Sequence, residues 1–201
     1  MNIGQVVNAV LGSNTYVLSP NNSNAVWLVD IGDVKPVLDM MPGSHVIKGV
    51  FITHTHYDHI YGIRELIKRF PFCEIFASEC GRQGFMSDKY NFSRYHNDPI
   101  KFSHPNIRTI IEGDKIQLTS GFSLKVFETP GHDWSSVTYQ LAEKCLFTGD
   151  SFIPGIKVVT SFPKSNKEQS LKSLEKIHSL CTNSTILYPG HGNIFKYSDL
   201  S

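Results

Sequence analysis

The stretch THTHYDH, residues 53–59, decides how the chain is interpreted, because it places four possible metal ligands within six consecutive positions. These are His54, His56, Asp58 and His59. Clustering such side chains costs desolvation and repulsion free energy, which a bound cation relieves. A single strand-end histidine is more often a surface or core residue, and Asp58 alone could equally cap a helix. Together, the four residues indicate a metal-binding motif.

The sequence around the motif predicts a strand before it and a helix after it. The segment at residues 46–52 is short, largely apolar and rich in β-branched side chains, which is typical of a buried strand. If the chain stays extended, His54 and His56 project to the same side and form a chelating pair. Apolar residues then recur at three- and four-residue spacing and predict a helix over 58–70. Its positive N-terminal end favours an ionised Asp58 and neutral imidazoles, which are the forms that bind metal.

Three glycine turns further along the chain each carry one more ligand-type residue after a predicted strand. The residues are His132, Asp150 and His191. Each turn alone is explained at least as well by ordinary turn chemistry. In a layered α/β protein, however, strand ends converge on one rim, and sites are built there. We therefore expect these three residues to meet the motif at 53–59.

Composition narrows the class of protein. The chain has 201 residues, of which 40% are hydrophobic and 18% charged, with a formal charge of +1, so we expect one globular domain spanning 1–201. The near-neutral charge argues against nucleic-acid binding. We find no apolar run of the roughly 20 residues that would span a membrane, and no secretory signal. Four scattered cysteines without a C-x-x-C pair favour reduced thiols, so we expect a cytoplasmic protein.

Strand-like and helix-like segments alternate in a way that suggests two sheets covered by helices on their outer faces. The predicted strands span residues 5–11, 15–19, 25–31, 46–52, 73–77, 107–111, 115–118, 123–128, 136–141, 144–148 and 185–188. The predicted helices span residues 34–41, 58–70 and 165–180, the last with Leu171, Leu174, Ile177 and Leu180 on one face. Residues 80–106 are irregular and could form either a lid over a site or a solvated loop.

The order His-x-His-x-Asp-His, then His132, Asp150 and His191, resembles the metallo-β-lactamase superfamily. Within it, the chain is most similar to the hydroxyacylglutathione hydrolase (glyoxalase II)-like branch. The resemblance covers nearly the whole chain: residues 29–32 look like the early strand-end motif of the family, and residues 91–93 resemble a segment common in its small members. It implies an α/β (α+β) fold, a four-layer αββα sandwich of two mixed sheets with helices outside.

The resemblance also implies two divalent metal ions. One ion would be held by His54, His56 and His132, the other by Asp58, His59 and His191, with Asp150 bridging both. Ligands that are all nitrogen or oxygen suit zinc, which we expect, and also iron or manganese. The two ions would leave a net positive charge, so we expect an anionic small-molecule substrate, with no nucleic-acid or membrane partner. The sequence leaves the oligomeric state open.

The implied chemistry is hydrolysis by a metal-bridging hydroxide, which attacks a carbonyl that one ion polarises. Asp58 is the predicted catalytic residue, as a ligand that can also orient water or relay a proton. Residues that could orient the ligands, for which a turn or cap role is at least as good an explanation, are Asp30, Asp33, Thr53 and Ser135. Residues that could bind substrate, although aromatic side chains there are more often core, are Tyr57, Tyr61, Trp134, Phe152, Lys157 and Tyr188.

The leading function is therefore a dinuclear zinc hydrolase of a thioester, ester or lactone. Only ten residues follow His191, so we expect no C-terminal helical domain of the kind that helps glyoxalase II bind glutathione. Two alternatives stay open, a mono-iron persulfide dioxygenase-like oxidoreductase and a non-catalytic ligand-sensing module. Three further classes are disfavoured. The complete ligand set argues against a β-lactamase, the neutral charge argues against a nuclease, and His56 argues against a flavin-linked diiron protein.

Overall fold

The computed structural model describes residues 1–21, 23–41 and 43–200, so positions 22, 42 and 201 of the predicted domain lie outside the described residues. The strands are β1 Asn2–Val7, β2 Asn14–Ser19, β3 Ala25–Val29, β4 Val46–Phe51, β5 Glu74–Ser78, β6 Ile107–Ile110, β7 Lys115–Thr119, β8 Phe122–Glu128, β9 Val137–Leu141, β10 Cys145–Gly149, β11 Ile186–Pro189 and β12 Phe195–Lys196. The α-helices are α1 Val34–Asp39, α2 Tyr57–Ile60, α3 Ile63–Arg69, α4 Glu79–Phe85 and α5 Lys167–Leu180. None of the helices within these ranges is long and apolar enough to cross a membrane.

The strands form two six-stranded mixed sheets, as predicted. The first has the order β1-β2-β3-β4-β5-β6, antiparallel from β1 to β3 and parallel from β3 to β6. The second has the order β12-β11-β10-β9-β8-β7 and is parallel only between β10 and β11. Each parallel pair needs a crossover connection, and α1, α2–α3, α4 and α5 lie in those connections. The α+β sandwich is therefore confirmed.

Alternation of side chains along the strands creates two separate buried clusters. In β3, Val26 and Leu28 belong to the cluster that includes apolar residues of α1, α2 and α3. Trp27 and Val29, which point the other way, belong to the cluster between the two sheets. Tyr139 of β9 lies in this second cluster and is fully buried. The centre of the first sheet is thus apolar on both faces, which explains why β3, with the sequence AVWLV, is a continuous apolar run.

The predicted continuous helix over 58–70 is wrong, because the structure divides it into α2 and α3 at Gly62. The backbone of Gly62 packs directly against the end of β3: its N–H donates to the Ile31 carbonyl over 3.2 Å. A Cβ at Gly62 would lie only 2.0 Å from the Gly32 carbonyl oxygen. Apolar spacing cannot reveal such a contact, because it arises between backbones distant in sequence.

The apolar face predicted for the last helix is confirmed at Ile177, which is fully buried, and is wrong at Leu171. Leu171 is 54% exposed, whereas Ser170 and Ser173 of α5 are buried. These small residues let the helix approach the turn that carries His132. Gly131 in that turn has φ +143°, and a Cβ there would lie 2.3 Å from the Ser170 Cα. The hydroxyl of Ser173 donates to the carbonyl of the residue before Gly131 over 2.7 Å. Close approach to this turn therefore buries small residues of the helix at its first turns, where the apolar spacing predicted Leu171.

The packing at Gly62 gives a test of this helix break. We expect Gly62→Ala to lower the free energy of unfolding by about 2 kcal/mol, because backbone must move to accept the methyl group. For a chain of this size, that corresponds to a fall in Tm of about 4–8 °C. Gly43→Ala is the matched control, since a Cβ there meets nothing within 4 Å. Equal melting temperatures for the two variants, measured by circular dichroism, would contradict the proposed contact.

Candidate metal centre

Seven predicted ligands meet at one rim of the sandwich, where strands of both sheets end. They follow four strands: His54, His56, Asp58 and His59 come after β4, His132 after β8, Asp150 after β10 and His191 after β11. Their ligand atoms form three overlapping groups in which all atoms lie within 4.8 Å of one another. The groups are His54–His56–His132, His54–His59–Asp150 and Asp58–His59–His191. No cysteine belongs to these groups, so the cluster is a nitrogen and oxygen site.

The distances within the cluster match those between ligands that share one ion. His56 Nδ1 and His132 Nε2 are 3.0 Å apart, and His59 Nε2 and His191 Nε2 are 3.3 Å apart. Ligands about 2.0–2.1 Å from a tetrahedral zinc ion lie roughly 3.4 Å from each other. Asp150 Oδ2 lies 3.5 Å from His132 Nε2 and 3.4 Å from His191 Nε2, so its carboxylate stands between the two histidine pairs.

Buried atoms without partners provide an independent test of whether the residues fit metal ions. Within the described residues, His54 Nε2 and Asp150 Oδ1 are buried and have no hydrogen-bond partner. Leaving such an atom unpaired costs about 1–3 kcal/mol. Both atoms belong to residues of the converging groups, where coordination would satisfy them. The donor set therefore fits divalent cations.

The electrostatics of the cluster also suit cation binding. Burial lowers the pKa of His54 well below its usual value, and neighbouring His59 adds to the effect, so the imidazole is neutral. Burial opposes ionisation of Asp58, but His59 and His191 hold its pKa well below the usual range. Burial likewise opposes protonation of His191, yet Asp150 and Asp58 raise its pKa to about 9. A cation that binds there must displace the His191 proton, so binding releases protons.

A buried carboxyl group positions the ring of His59. Asp30 accepts hydrogen bonds from the Thr53 backbone N–H and from the Thr53 hydroxyl, each over 2.7 Å. It also accepts one from His59 Nδ1–H over 2.9 Å, which leaves Nε2 facing the cluster. Burial raises the pKa of Asp30, and the hydrogen bonds from His59 and Thr53 oppose that rise. Asp30 and Thr53 are thus in contact with a candidate ligand or its neighbour, as the predicted orienting role requires.

The other two candidates for that role lie in different places. Ser135 donates its backbone N–H to Asp133 Oδ1 over 2.9 Å, and Asp133 Oδ2 lies 3.5 Å from His56 Nε2. Asp133 was not predicted, although its position directly after a ligand histidine is a signal that could have been used. Asp33, in contrast, accepts a hydrogen bond from the Ala9 backbone N–H over 2.7 Å, at the start of α1.

Strand β2 of the first sheet fixes the turn that carries His191. The Asn14 N–H donates to the Gly190 carbonyl over 2.7 Å. The Tyr16 hydroxyl donates to the Pro189 carbonyl, also over 2.7 Å. A candidate ligand from the second sheet is therefore held by residues of the first, which couples the site to the packing of the two sheets.

Three of the predicted substrate-binding residues lie apart from the ligand rings. Tyr188 is buried in the cluster between the sheets. Phe152 packs edge-on against His178, with ring centroids 4.9 Å apart, in a separate cavity near the end of the described chain. Lys157 is exposed on the loop before α5. None of these three positions tests the predicted role, which stays a prediction.

Two others pack against the irregular segment 80–106. Tyr57 stacks on His96, with ring centroids 4.3 Å apart, and on Tyr61 at 5.5 Å. Trp134 meets Tyr90 of that segment edge to face, with ring centroids 5.9 Å apart, and also lies 4.3 Å from the ammonium group of Lys164. The segment itself contains α4 and a 3₁₀ turn, Ser93–His96, and it borders the cluster. Two residues that were not among the predicted site residues, Phe92 and Phe162, pack against the rings of His56 and His132.

The role of Asp30 can be tested without any metal. We expect Asp30→Asn to lower the free energy of unfolding by about 1–3 kcal/mol, because an amide cannot accept all three buried hydrogen bonds. Asp39→Asn is the matched control, since Asp39 forms an exposed ion pair with Lys35. Chemical denaturation of the chelator-treated variants measures the difference. A loss no larger than that of the control would show that Asp30 does not stabilise this end of the sheet.

Comparison with known proteins agrees with this geometry. Residues 10–191 match the sequence model of the metallo-beta-lactamase superfamily. A probable metallo-hydrolase of Streptococcus pyogenes is 27% identical over 96% of this chain and 84% of its own length. A hydroxyacylglutathione hydrolase of Aliivibrio fischeri is 31% identical over 89% of this chain, which spans 62% of that enzyme. The crystal structure of the BLEG-1 B3 metallo-beta-lactamase superposes with a TM-score of 0.86 at 23% identity, over 96% of this chain and 93% of that one. The chain therefore belongs to the metallo-β-lactamase superfamily of metal-dependent hydrolases.

Proposed function

We propose that the protein is a dinuclear metal-dependent hydrolase that cleaves a thioester, with esters and lactones as related substrates. The observation that carries this proposal is the position of Asp150, within 3.5 Å of histidines from two groups whose atoms are spaced like ligands of shared ions. The similarity to hydroxyacylglutathione hydrolases supports a thioester as the substrate. The all-nitrogen and oxygen donor set supports zinc.

In this proposal, the seven side chains divide into two sets with Asp150 between them. One ion would be held by His54, His56 and His132, and the other by Asp58, His59 and His191. Ions bound there would supply a hydroxide at neutral pH and would polarise the substrate carbonyl. Asp58 stays ionised because its pKa is low, so it can accept a hydrogen bond from the attacking water and orient it. Asp30 keeps His59 in the tautomer that presents Nε2.

The reaction consumes one water molecule per substrate. A carbon–oxygen bond forms at the acyl carbon and the carbon–sulfur bond breaks. The products are a carboxylate and a thiol, so one proton of the water ends on sulfur and the other in solvent. Both the developing oxyanion and the carboxylate product are negative, so the net positive charge of a loaded site favours them. An anionic small molecule is therefore the proposed ligand.

The metal dependence of activity can be tested with ligand variants. We expect protein purified without chelators to carry about two zinc equivalents and to hydrolyse members of a thioester, ester and lactone panel. His56→Ala and Asp150→Ala should lose metal by elemental analysis and lose activity by about 10²-fold or more, since each removes a ligand. Circular dichroism should show an intact fold in both variants.

His45→Ala is the matched control, because His45 precedes β4 whereas His54 and His56 follow it. It should keep both metal and activity. Full turnover in His56→Ala or Asp150→Ala would contradict the proposal. About one iron equivalent together with oxygen uptake would favour the dioxygenase alternative instead. If the unsubstituted protein binds metal that the ligand variants lose, but hydrolyses no member of the panel, the sensing module is favoured.

A further inference from the structure

Two phenylalanines form an apolar wall against one side of the ligand cluster. The ring of Phe92 lies 4.7 Å from that of His56, measured between centroids. The ring of Phe162 lies 5.7 Å from His56 and 5.8 Å from His132. The two phenylalanine rings are 5.3 Å apart and meet edge to face. We call Phe92 and Phe162 the aromatic wall.

The segment that carries Phe162 is fastened to the His132 turn on both sides of the ring. Before it, the Val159 carbonyl accepts a hydrogen bond from His132 Nδ1–H over 3.0 Å. After it, the Ser165 hydroxyl donates to the His132 carbonyl. Lys164 lies 4.3 Å from the Trp134 ring, a distance typical of a cation–π contact. Phe162 is thus held beside a predicted ligand although its own side chain is 41% exposed.

The backbone at Phe92 is strained and anchored. Its φ of +63° is rare for a bulky residue and persists only where the surroundings impose it. Asn91, which is fully buried, imposes it: its side-chain amide donates to the Ile100 carbonyl over 2.9 Å, and its side-chain oxygen accepts from the Ser93 N–H over 3.0 Å. Strain of this kind clusters at functional sites. Here it places an aromatic ring on His56.

We infer that the aromatic wall binds the acyl chain of the substrate, and that this chain is apolar. The inference rests on the proposed thioester hydrolysis and specifies its substrate class. The sulfur side of a thioester gains negative charge as the bond breaks, and an apolar surface cannot stabilise that charge. The acyl chain gains no charge, so it is the part of the substrate suited to the wall. Burying an acyl chain there also removes the exposed surface of Phe162 from water.

A second exposed ring extends the same surface. Tyr95 is 69% exposed and lies 6.3 Å from Phe92 between centroids. Phe92 therefore contacts His56 on one hand and Tyr95 on the other, and the direction of the surface runs from His56 through Phe92 to Tyr95. A chain of several methylene groups can follow this direction, whereas the single methyl group of an acetyl compound is too short to lie along it. The aromatic wall therefore distinguishes substrates by the length of their acyl chain.

The test compares acyl groups on one thiol. We expect the metal-loaded protein to hydrolyse S-hexanoyl-N-acetylcysteamine with a kcat/KM about tenfold or more above that of the S-acetyl compound, since a single buried methylene is worth roughly tenfold or more. Phe162→Ala and Phe92→Ala should reduce the hexanoyl value about tenfold and leave the acetyl value within about threefold. Phe162→Leu should retain most of the preference. Phe72→Ala, at a residue 90% exposed between α3 and β5, is the control and should change neither value.

Each outcome is decisive. Metal content is measured for every variant, because a Phe162→Ala protein that loses metal or acetyl turnover would show a structural role and overturn the inference. Thioester turnover without an acyl preference, or a preference unchanged in both alanine variants, would also overturn it while leaving the proposed function intact. If no thioester is hydrolysed, the proposed function fails, and calorimetric binding decides the inference separately. Tighter binding of hexanoate than acetate, lost in Phe162→Ala, supports the wall, and equal affinities refute it.

Discussion

The candidate metal centre depends on the hydrogen bonds that the buried carboxyl group of Asp30 accepts. It lies just after β3 in a left-handed conformation, with φ +58°, and accepts hydrogen bonds from Thr53 and His59. A buried acidic group is costly unless it is hydrogen-bonded, so it constrains the groups that pair with it. Through Thr53 it fixes the chain at the end of β4, where the ligand motif begins. Through His59 it fixes a ring that belongs to two of the three ligand groups.

Close backbone contacts complete this frame. The N–H of Gly62 binds the carbonyl of Ile31, next to Asp30, so α3 starts against the end of β3. On the other sheet, Gly131 packs on α5 and sets the position of the turn that holds His132. Both contacts exclude a side chain. The ligands are therefore presented from turns whose paths are fixed by packing, which is what a preorganised site requires.

The sequence was sufficient for the parts of this structure that follow from local patterns and ligand chemistry. Two sheets covered by helices were predictable because strand-like and helix-like segments alternate clearly, whereas the mixed character of the sheets was expected only from the family resemblance. The meeting of His132, Asp150 and His191 with the motif was predictable from their common place after strands. The break at Gly62 and the burial of Ser170 in place of Leu171 were not, because both depend on contacts between distant segments. The aromatic wall was missed for the same reason: nothing local distinguishes Phe162 from a surface residue.

The segment 80–106 borders the candidate metal centre through Phe92, which packs against His56. It contains α4, a 3₁₀ turn and the strained Phe92, and Asn91 ties it together through hydrogen bonds of its buried side chain. The proposed hydrolase thus combines a polar centre for the carbonyl with an apolar surface beside it. Such a combination lets the centre supply the chemistry while the loops that carry Phe92 and Phe162 set the substrate.

Anomalous X-ray scattering at the zinc edge, from crystals of protein purified without chelators, tests the central claim most directly. The account predicts two peaks about 3.5–4 Å apart, with the carboxylate of Asp150 between them and imidazole nitrogens about 2.0–2.1 Å from each. A single peak held by three histidines, or no peak with the seven side chains hydrogen-bonded only to one another, would contradict a dinuclear centre.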